Sequence, residues 1–253
     1  MQYVRTEVHG RVALLTLDDP GRRNALSLDM ADAVAAALAA VEDDPEVTAV
    51  VVTGAPPAFS AGADLDDLAA ASRERLGRIY EGFLALARFP LPTVAAVNGP
   101  AVGAGLNLAL ACDLRIAGES ARFESRFLDL ALHPGGGHGF MLDRILGPQG
   151  AAAIALLGQG LSGAEAARCG LAWQVVPDDD VVATALETAG RAAVAPRELV
   201  RRMKATMRAE AAITDHAEAV ATELEVQLWS TEQPEFRERL EALRRRIARR
   251  RQG

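Results

Sequence analysis

The chain is predicted to be an α/β protein with a helical C-terminal region. Short β-branched and apolar runs alternate with helical patterns as far as about residue 190. Beyond Pro177 the strand signals stop, and residues 180–194, 196–210, 214–231 and 234–251 all read as helices, broken at Pro196, Thr214 and Pro234. Strand–helix alternation argues for parallel pairing in the first part. The chain therefore divides into a core over 1–190 and a helical region over 191–253.

The elements follow in order. RVALLTLDD (11–19) is a strand closed by turn residues. LSLDMADAVAAALAAVEDDP is a helix with Ser27 as N-cap, Asp29 in the first turn and Pro45 as its stop. Its apolar face is Ala31, Val34, Leu38 and Val41. VTAVVVTG (47–54) is a buried strand, followed by the loop APPAFSAGADL and a mostly helical stretch to Arg88. PTVAAVNG (92–99) is the next strand, leading into GPAVGAGLNLALACD and its helix. DLRIAG (113–118) is a short strand. LSGAEAARCGL (161–171) carries a capping box, Ser162 with Glu165, and Gly170 as its C-terminal stop. AWQVVP (172–177) is the last strand. A loose strand–strand–helix rhythm recurs without an exact repeat or a low-complexity linker.

Bulk composition narrows the function classes. The 253 residues carry 27 basic and 34 acidic side chains, a net charge of −7, which disfavours nucleic acid as a general partner. No apolar run approaches the ~18 residues of a membrane span, and the N-terminus lacks the apolar stretch of a signal peptide. A cytoplasmic protein without a membrane partner is expected. Cys112 and Cys169 have no metal-ligand spacing and are expected to be reduced core thiols. No metal site is expected. The end of the chain, LRRRIARRRQG, holds six arginines between Arg244 and Arg251. It is either a solvated helix face or a phosphate-binding tail.

Two segments share one physical form. FSAGADL (59–65) and GAGLN (103–107) each set small residues at a turn beside a helix start. Small side chains let a ligand approach the backbone. First-turn N–H groups have no internal acceptor, and two of them aimed at one point stabilise an oxyanion. Tight turn packing alone would also account for the small residues. A dinucleotide-binding reading of 94–110 fails because its third glycine would stand at 108, where Leu108 is found.

AFSAGADL together with AAVNGPAVGAGLNLALACDLRIA resembles the crotonase superfamily, the enoyl-CoA hydratases and isomerases. PGRRNALS (20–27), HPGGG (133–137) and LSGAEAARCGLAWQVVP (161–177) follow in family order along nearly the whole chain. The resemblance implies a spiral of ββα turns followed by C-terminal helices that mediate trimers, often paired into hexamers. It implies an acyl-CoA thioester as ligand, with coenzyme A part of the substrate and no separate cofactor. The oxyanion donors would be the N–H groups of Ala63 and Ala104. Positions matching Arg22, Arg23, Ala25, Ala61, Asp64 and Leu65 would surround the CoA moiety, with Arg22 and Arg23 as the phosphate contacts. Leu65, Leu68, Phe127 and Leu132 are candidate linings of an apolar acyl pocket. In the family, basic residues at the C-terminus of a neighbouring subunit can reach CoA phosphates, which gives the arginine tail a role.

The chain departs from the hydratases at both catalytic carboxylates. One glutamate position holds Asn107 and the other, seven residues before the proline of the PG turn, holds Phe127. Asn can orient a water or carbonyl but is no base at neutral pH, and Phe does neither. SRFLDLALHPGGGHG supplies Arg126, Asp129, His133 and His138 nearby. Asp129 and His133 are four apart, would share a face if helical, and are candidate substitutes for the lost acid–base pair. The structural alternatives are an ion pair for Asp129, a turn cap for His133 and a helix cap for Asp64. The leading expectation is an enolate-forming acyl-CoA enzyme: isomerase, decarboxylase, C–C lyase, or a hydratase with a modified site. The second is a non-catalytic acyl-CoA binding or carrier protein on the same scaffold, suggested by the double loss at Asn107 and Phe127.

Overall fold

In a computed structural model, which describes residues 2–250, nine strands and ten α-helices are connected in a repeating order. Strands β1 (Val4–His9), β2 (Val12–Leu17), β3 (Ala49–Gly54), β4 (Thr93–Val97), β6 (Leu114–Gly118) and β9 (Gln174–Val176) form one six-stranded sheet in that spatial order. Every pairing is parallel except β1 with β2. The short strands β5 (Pro100–Val102), β7 (Arg122–Glu124) and β8 (Leu161–Ser162) form a second sheet. The loop after β3 joins that second sheet through a single bridge, Ser60 with Ala101. The turns that begin at β3, β4 and β6 thus each add a strand to the large sheet, a shorter segment to the small one, and then a helix. This is the expected ββα spiral.

The helices of this first unit are α1 (Leu28–Asp43), α2 (Leu65–Ala69), α3 (Arg73–Arg88), α4 (Ala104–Ala111), α5 (His138–Ala151, kinked at Gly147), α6 (Gly163–Cys169) and α7 (Val181–Gly190). The central strands are buried on both faces, which is why they read as continuous apolar runs. Leu15, Val52 and Ala95 pack on one side with α1, α3 and α4, while Leu14, Val51 and Val94 pack on the other against Val181, Ala185 and Ala189 of α7. Ser27 caps α1 by accepting from Met30 N–H, and the predicted apolar face of that helix is buried. Both halves of the Ser162–Glu165 capping box are present.

One strand of the large sheet left no signal in the sequence, and one cysteine expectation needs correction. β1 left no clear signal because only Val4 of its six residues is buried; an edge strand with a wet outer face shows little apolar alternation. Cys112 is buried, but Cys169 is exposed, because it is the last residue of α6 and faces out ahead of Gly170.

The chain divides into two compact units, one ending at Ala193 and the other beginning at Val194. The second holds α8 (Arg197–Glu210), α9 (His216–Glu232) and α10 (Pro234–Arg250). Within it, the Arg202 guanidinium lies 4.0 Å from the centre of the Trp229 ring, and Arg239 donates to Val194 O at 2.6 Å. Among the described residues, no helix is long and apolar enough to cross a membrane.

Candidate active site

The loop carrying Gly62 and Ala63 is held from below by a buried asparagine. Asn24 Oδ1 accepts from Asp19 N–H at 3.0 Å, and its Nδ2 donates to Ala55 O and Ala58 O, both at 2.8 Å. Ser60 Oγ donates to Asn24 O at 2.8 Å. Leu26 N–H donates to Gly62 O, and Asp64 N–H donates to Leu26 O. This bridge uses the peptide groups on either side of Ala63. The Ala63 N–H itself has no acceptor among the described residues. Gly62 adopts φ +104°, and a Cβ there would lie 2.8 Å from Val102 O and 3.8 Å from Ala104 N. Only glycine lets the two loops meet so closely.

Ala104 is the first residue of α4, and its N–H also has no acceptor among the described residues. That follows from its place in the helix, since first-turn donors have no partner one turn back. α4 is buried along its whole length. A side chain on Gly105 would collide with Ser60, so helix and loop pack backbone to backbone. The other end of α4 is tied down by the buried Arg115. Its Nε donates to Leu171 O at 2.5 Å and its Nη1 to Cys112 O at 2.8 Å. Burial pulls the Arg115 pKa down, but the guanidinium remains a cation at the negative end of the helix.

Ala63 and Ala104 line one cavity of about 240 Å³. The predicted Ala61, Asn107 and His133 also line it, as do Leu65, Leu68, Phe127 and Leu132 of the predicted acyl pocket. Tyr80 from α3, with Ser125 and Arg126 just after β7, add further polar groups. The Tyr80 hydroxyl has no hydrogen-bond partner among the described residues. Two unpaired N–H groups beside an apolar cavity can hold an oxygen that gains negative charge.

Arg22, Arg23, Ala25 and Asp64 stand on the neighbouring turn and do not line this cavity. Arg22 donates to Asp19 at 2.7 Å and to Asp64 at 3.1 Å, and the Asp19 hydrogen bond raises its pKa. Arg23 is exposed with φ +50°, and its carbonyl accepts from Ala61 N–H. Ala25 is buried. Asp64 caps α2 by accepting from Asp66 and Asp67 N–H. Of the arginine tail, Arg245, Arg246, Arg249 and Arg250 line one concavity of α10, and Arg251 lies outside the described residues.

Asp129 and His133 are not brought onto one helical face. Residues Leu128–Leu130 form a single 3-10 turn, closed by Ala131 at φ +49°. Asp129 is exposed and does not line this cavity; it lines an adjoining concavity with Glu124 and Gly160, and Ser125 and Arg126 border both. His133 is exposed at the cavity, with its Nδ1 2.6 Å from Pro134 O.

The polar cluster at the cavity wall is one that sequence reasoning did not assemble. Asn107 Nδ2 donates to Gly135 O at 3.0 Å. A carbonyl only accepts, so this bond orients the amide with Oδ1 toward His138 Nδ1, 2.7 Å away. Nδ1 therefore carries the proton. The bare Nε2 accepts from the Ser125 hydroxyl at 2.9 Å. All three side chains are at most 5% exposed. Burial lowers the His138 pKa to about 4, so the ring is neutral at physiological pH. Phe127 packs edge-on against the same ring, with centroids 5.0 Å apart. Both positions that carry glutamate in hydratases thus touch one histidine. The only sequence signal was the histidine directly after the glycine run at 135–137.

Comparison with known proteins agrees with this architecture. A family model described as enoyl-CoA hydratase/isomerase matches residues 7–248. A probable enoyl-CoA hydratase of Mycobacterium tuberculosis is 50% identical over 248 residues, covering 94% of this chain and 96% of the relative. The 1,2-epoxyphenylacetyl-CoA isomerase of Escherichia coli is 37% identical over 204 residues, 78% of each chain. Among solved structures, an enoyl-CoA hydratase from Bacillus anthracis superposes with a TM-score of 0.91 at 28% identity, covering 97% of both chains. With the spiral fold and the motif order, these matches show that the chain belongs to the enoyl-CoA hydratase/isomerase family.

Proposed function

We propose that the chain binds an acyl-CoA thioester with its carbonyl oxygen between the N–H groups of Ala63 and Ala104, and acts on it through an enolate-like intermediate. The reading rests on those two unpaired donors at the wall of one apolar cavity. Hydration by a glutamate pair is not its chemistry, because Asn107 and Phe127 occupy the two carboxylate positions and both are committed to His138. Isomerisation, decarboxylation and C–C cleavage remain within reach of the site. Coenzyme A enters as part of the substrate, with Arg22 and Arg23 nearest the turn expected to meet it. The helical second unit is assigned to assembly as a trimer or hexamer, and the arginines of α10 to the phosphates of CoA bound by a neighbouring subunit.

Exchange of Cα protons of saturated and unsaturated acyl-CoAs in D₂O tests the reading. Solvent deuterium should enter at Cα, with little hydration of short or long enoyl-CoAs. Ala104→Pro removes one donor at a helix position that tolerates proline. It should lower exchange by about 10²–10³-fold, the cost typical of losing one oxyanion donor. Tight acyl-CoA binding with neither exchange nor any other turnover would leave the chain a carrier. No acyl-CoA binding would end both readings.

A further inference from the structure

We propose that Ser125, His138 and Asn107 form a hydrolytic relay beside the oxyanion donors, giving this chain an acyl-CoA thioester hydrolase activity with Ser125 as nucleophile. The inference rests on the reading that the thioester oxygen lies between the N–H groups of Ala63 and Ala104.

Topology delivers the serine to the donors. β5 and β7 pair in parallel, with Val102 opposite Glu124, and Gly103 N–H donates to Glu124 O at 2.8 Å. The next residues along each strand are Gly103–Ala104 and Ser125. Ser125 therefore lines the same cavity as Ala63 and Ala104. Its hydroxyl hydrogen is directed at His138 Nε2, 2.9 Å away, which leaves the oxygen lone pairs available for attack. Asn107 holds the other side of the ring in the tautomer that leaves Nε2 unprotonated. The groups facing His138 are Ser125, Asn107 and Phe127, and none of them carries a charge. A nucleophile bonded to a base, a base bonded to an orienting group, and two oxyanion donors at one cavity are the parts acyl transfer requires.

The step balances with water as the only co-reactant. Ser125 Oγ bonds to the thioester carbon while its proton moves to His138 Nε2. The resulting oxyanion rests on the Ala63 and Ala104 N–H groups. Its collapse breaks the C–S bond, and the CoA sulfur leaves with the proton from Nε2. Water then attacks the acyl-serine ester and gives a proton to Nε2, which passes it to the departing Ser125 oxygen. The products are free CoA thiol and the carboxylic acid, with no change in oxidation state. Asn107 is a positioning residue in this sequence.

The test incubates the full-length protein with acyl-CoAs of graded chain length, following free thiol with a chromogenic disulfide and intact protein mass after acid quench. The expected result is CoA release with an acyl adduct that maps to Ser125. Ser125→Ala should abolish the adduct and lower release by about 10²–10⁴-fold, while acyl-CoA affinity by calorimetry and the circular dichroism spectrum stay as in the wild type. Ser125→Cys should keep an adduct, now as a thioester. His138→Gln should bind acyl-CoA but acylate at least 10²-fold more slowly. Bound acyl-CoA that exchanges its Cα protons without thiol release or adduct would overturn the hydrolase and leave the enolate reading standing. Thiol release unchanged in Ser125→Ala would also overturn it. Absence of acyl-CoA binding would overturn both.

Discussion

At the scale of single residues, His138 joins the proposed relay and makes stability depend on pH. Its imidazole is buried and neutral, with a pKa lowered to about 4 by burial. In the unfolded chain the ring titrates near ~6.5. The native state thus binds fewer protons between these values, so the contribution is fully present above about pH 6.5 and is lost as pH falls through about 4. The gap corresponds to about 3 kcal/mol. Urea unfolding at pH 7 and at pH 4 should show a loss of this order, and His138→Gln should flatten that part of the dependence. Asn107→Asp adds a negative charge at His138 Nδ1 and should raise the imidazole pKa well above about 4, read by NMR titration of the ring protons. An unmoved value would contradict the hydrogen-bond order derived for this cluster. Asn107 was legible as the only polar residue in its helix and as a departure from a glutamate. That it serves a histidine was not legible, because His138 lies 31 positions away and reaches it only across packed elements.

At the scale of elements, α4 and the Ser60–Ala63 loop behave as one device. The two are in contact at Gly105 and Ser60, close to the proposed donors Ala104 and Ala63 in sequence. Gly105→Val should push α4 off Ser60, lowering stability by roughly 1–3 kcal/mol, the usual range for overpacking. It should also weaken acyl-CoA binding more than a side-chain loss at the cavity rim, such as Leu65→Ala. Unfolding in urea and calorimetric titration check the two parts. The helices were readable from apolar spacing and caps, as with Ser27 on α1 and the Ser162–Glu165 box on α6. The segment 126–133 was not, because Arg126 and Ala131 adopt positive φ. These are conformations that L-residues seldom adopt, and they break the helical face that would have joined Asp129 to His133.

At the scale of the molecule, the proposals concern assembly and the reach of the last helix. Sedimentation should find a trimer or its multiple, and a chain ending after Leu243 should bind CoA more weakly than the full chain, with less sensitivity to salt. Equal affinity would remove the arginine tail from the phosphate site. The parallel central strands, the capped helices and the small-residue turns follow from the sequence alone, because apolar runs, caps and glycines act over a few residues; β1, the short strands of the second sheet and α5 do not. The absence of a glutamate pair is likewise a property of the sequence. Only the tertiary structure joined Ser125, Asn107 and His138 beside Ala63 and Ala104, and set Asp129 outside their cavity. The reason is physical: strand pairing, the burial of α4 and the burial of His138 at the start of α5 decide which distant polar groups share a site, and local sequence patterns do not record that distance.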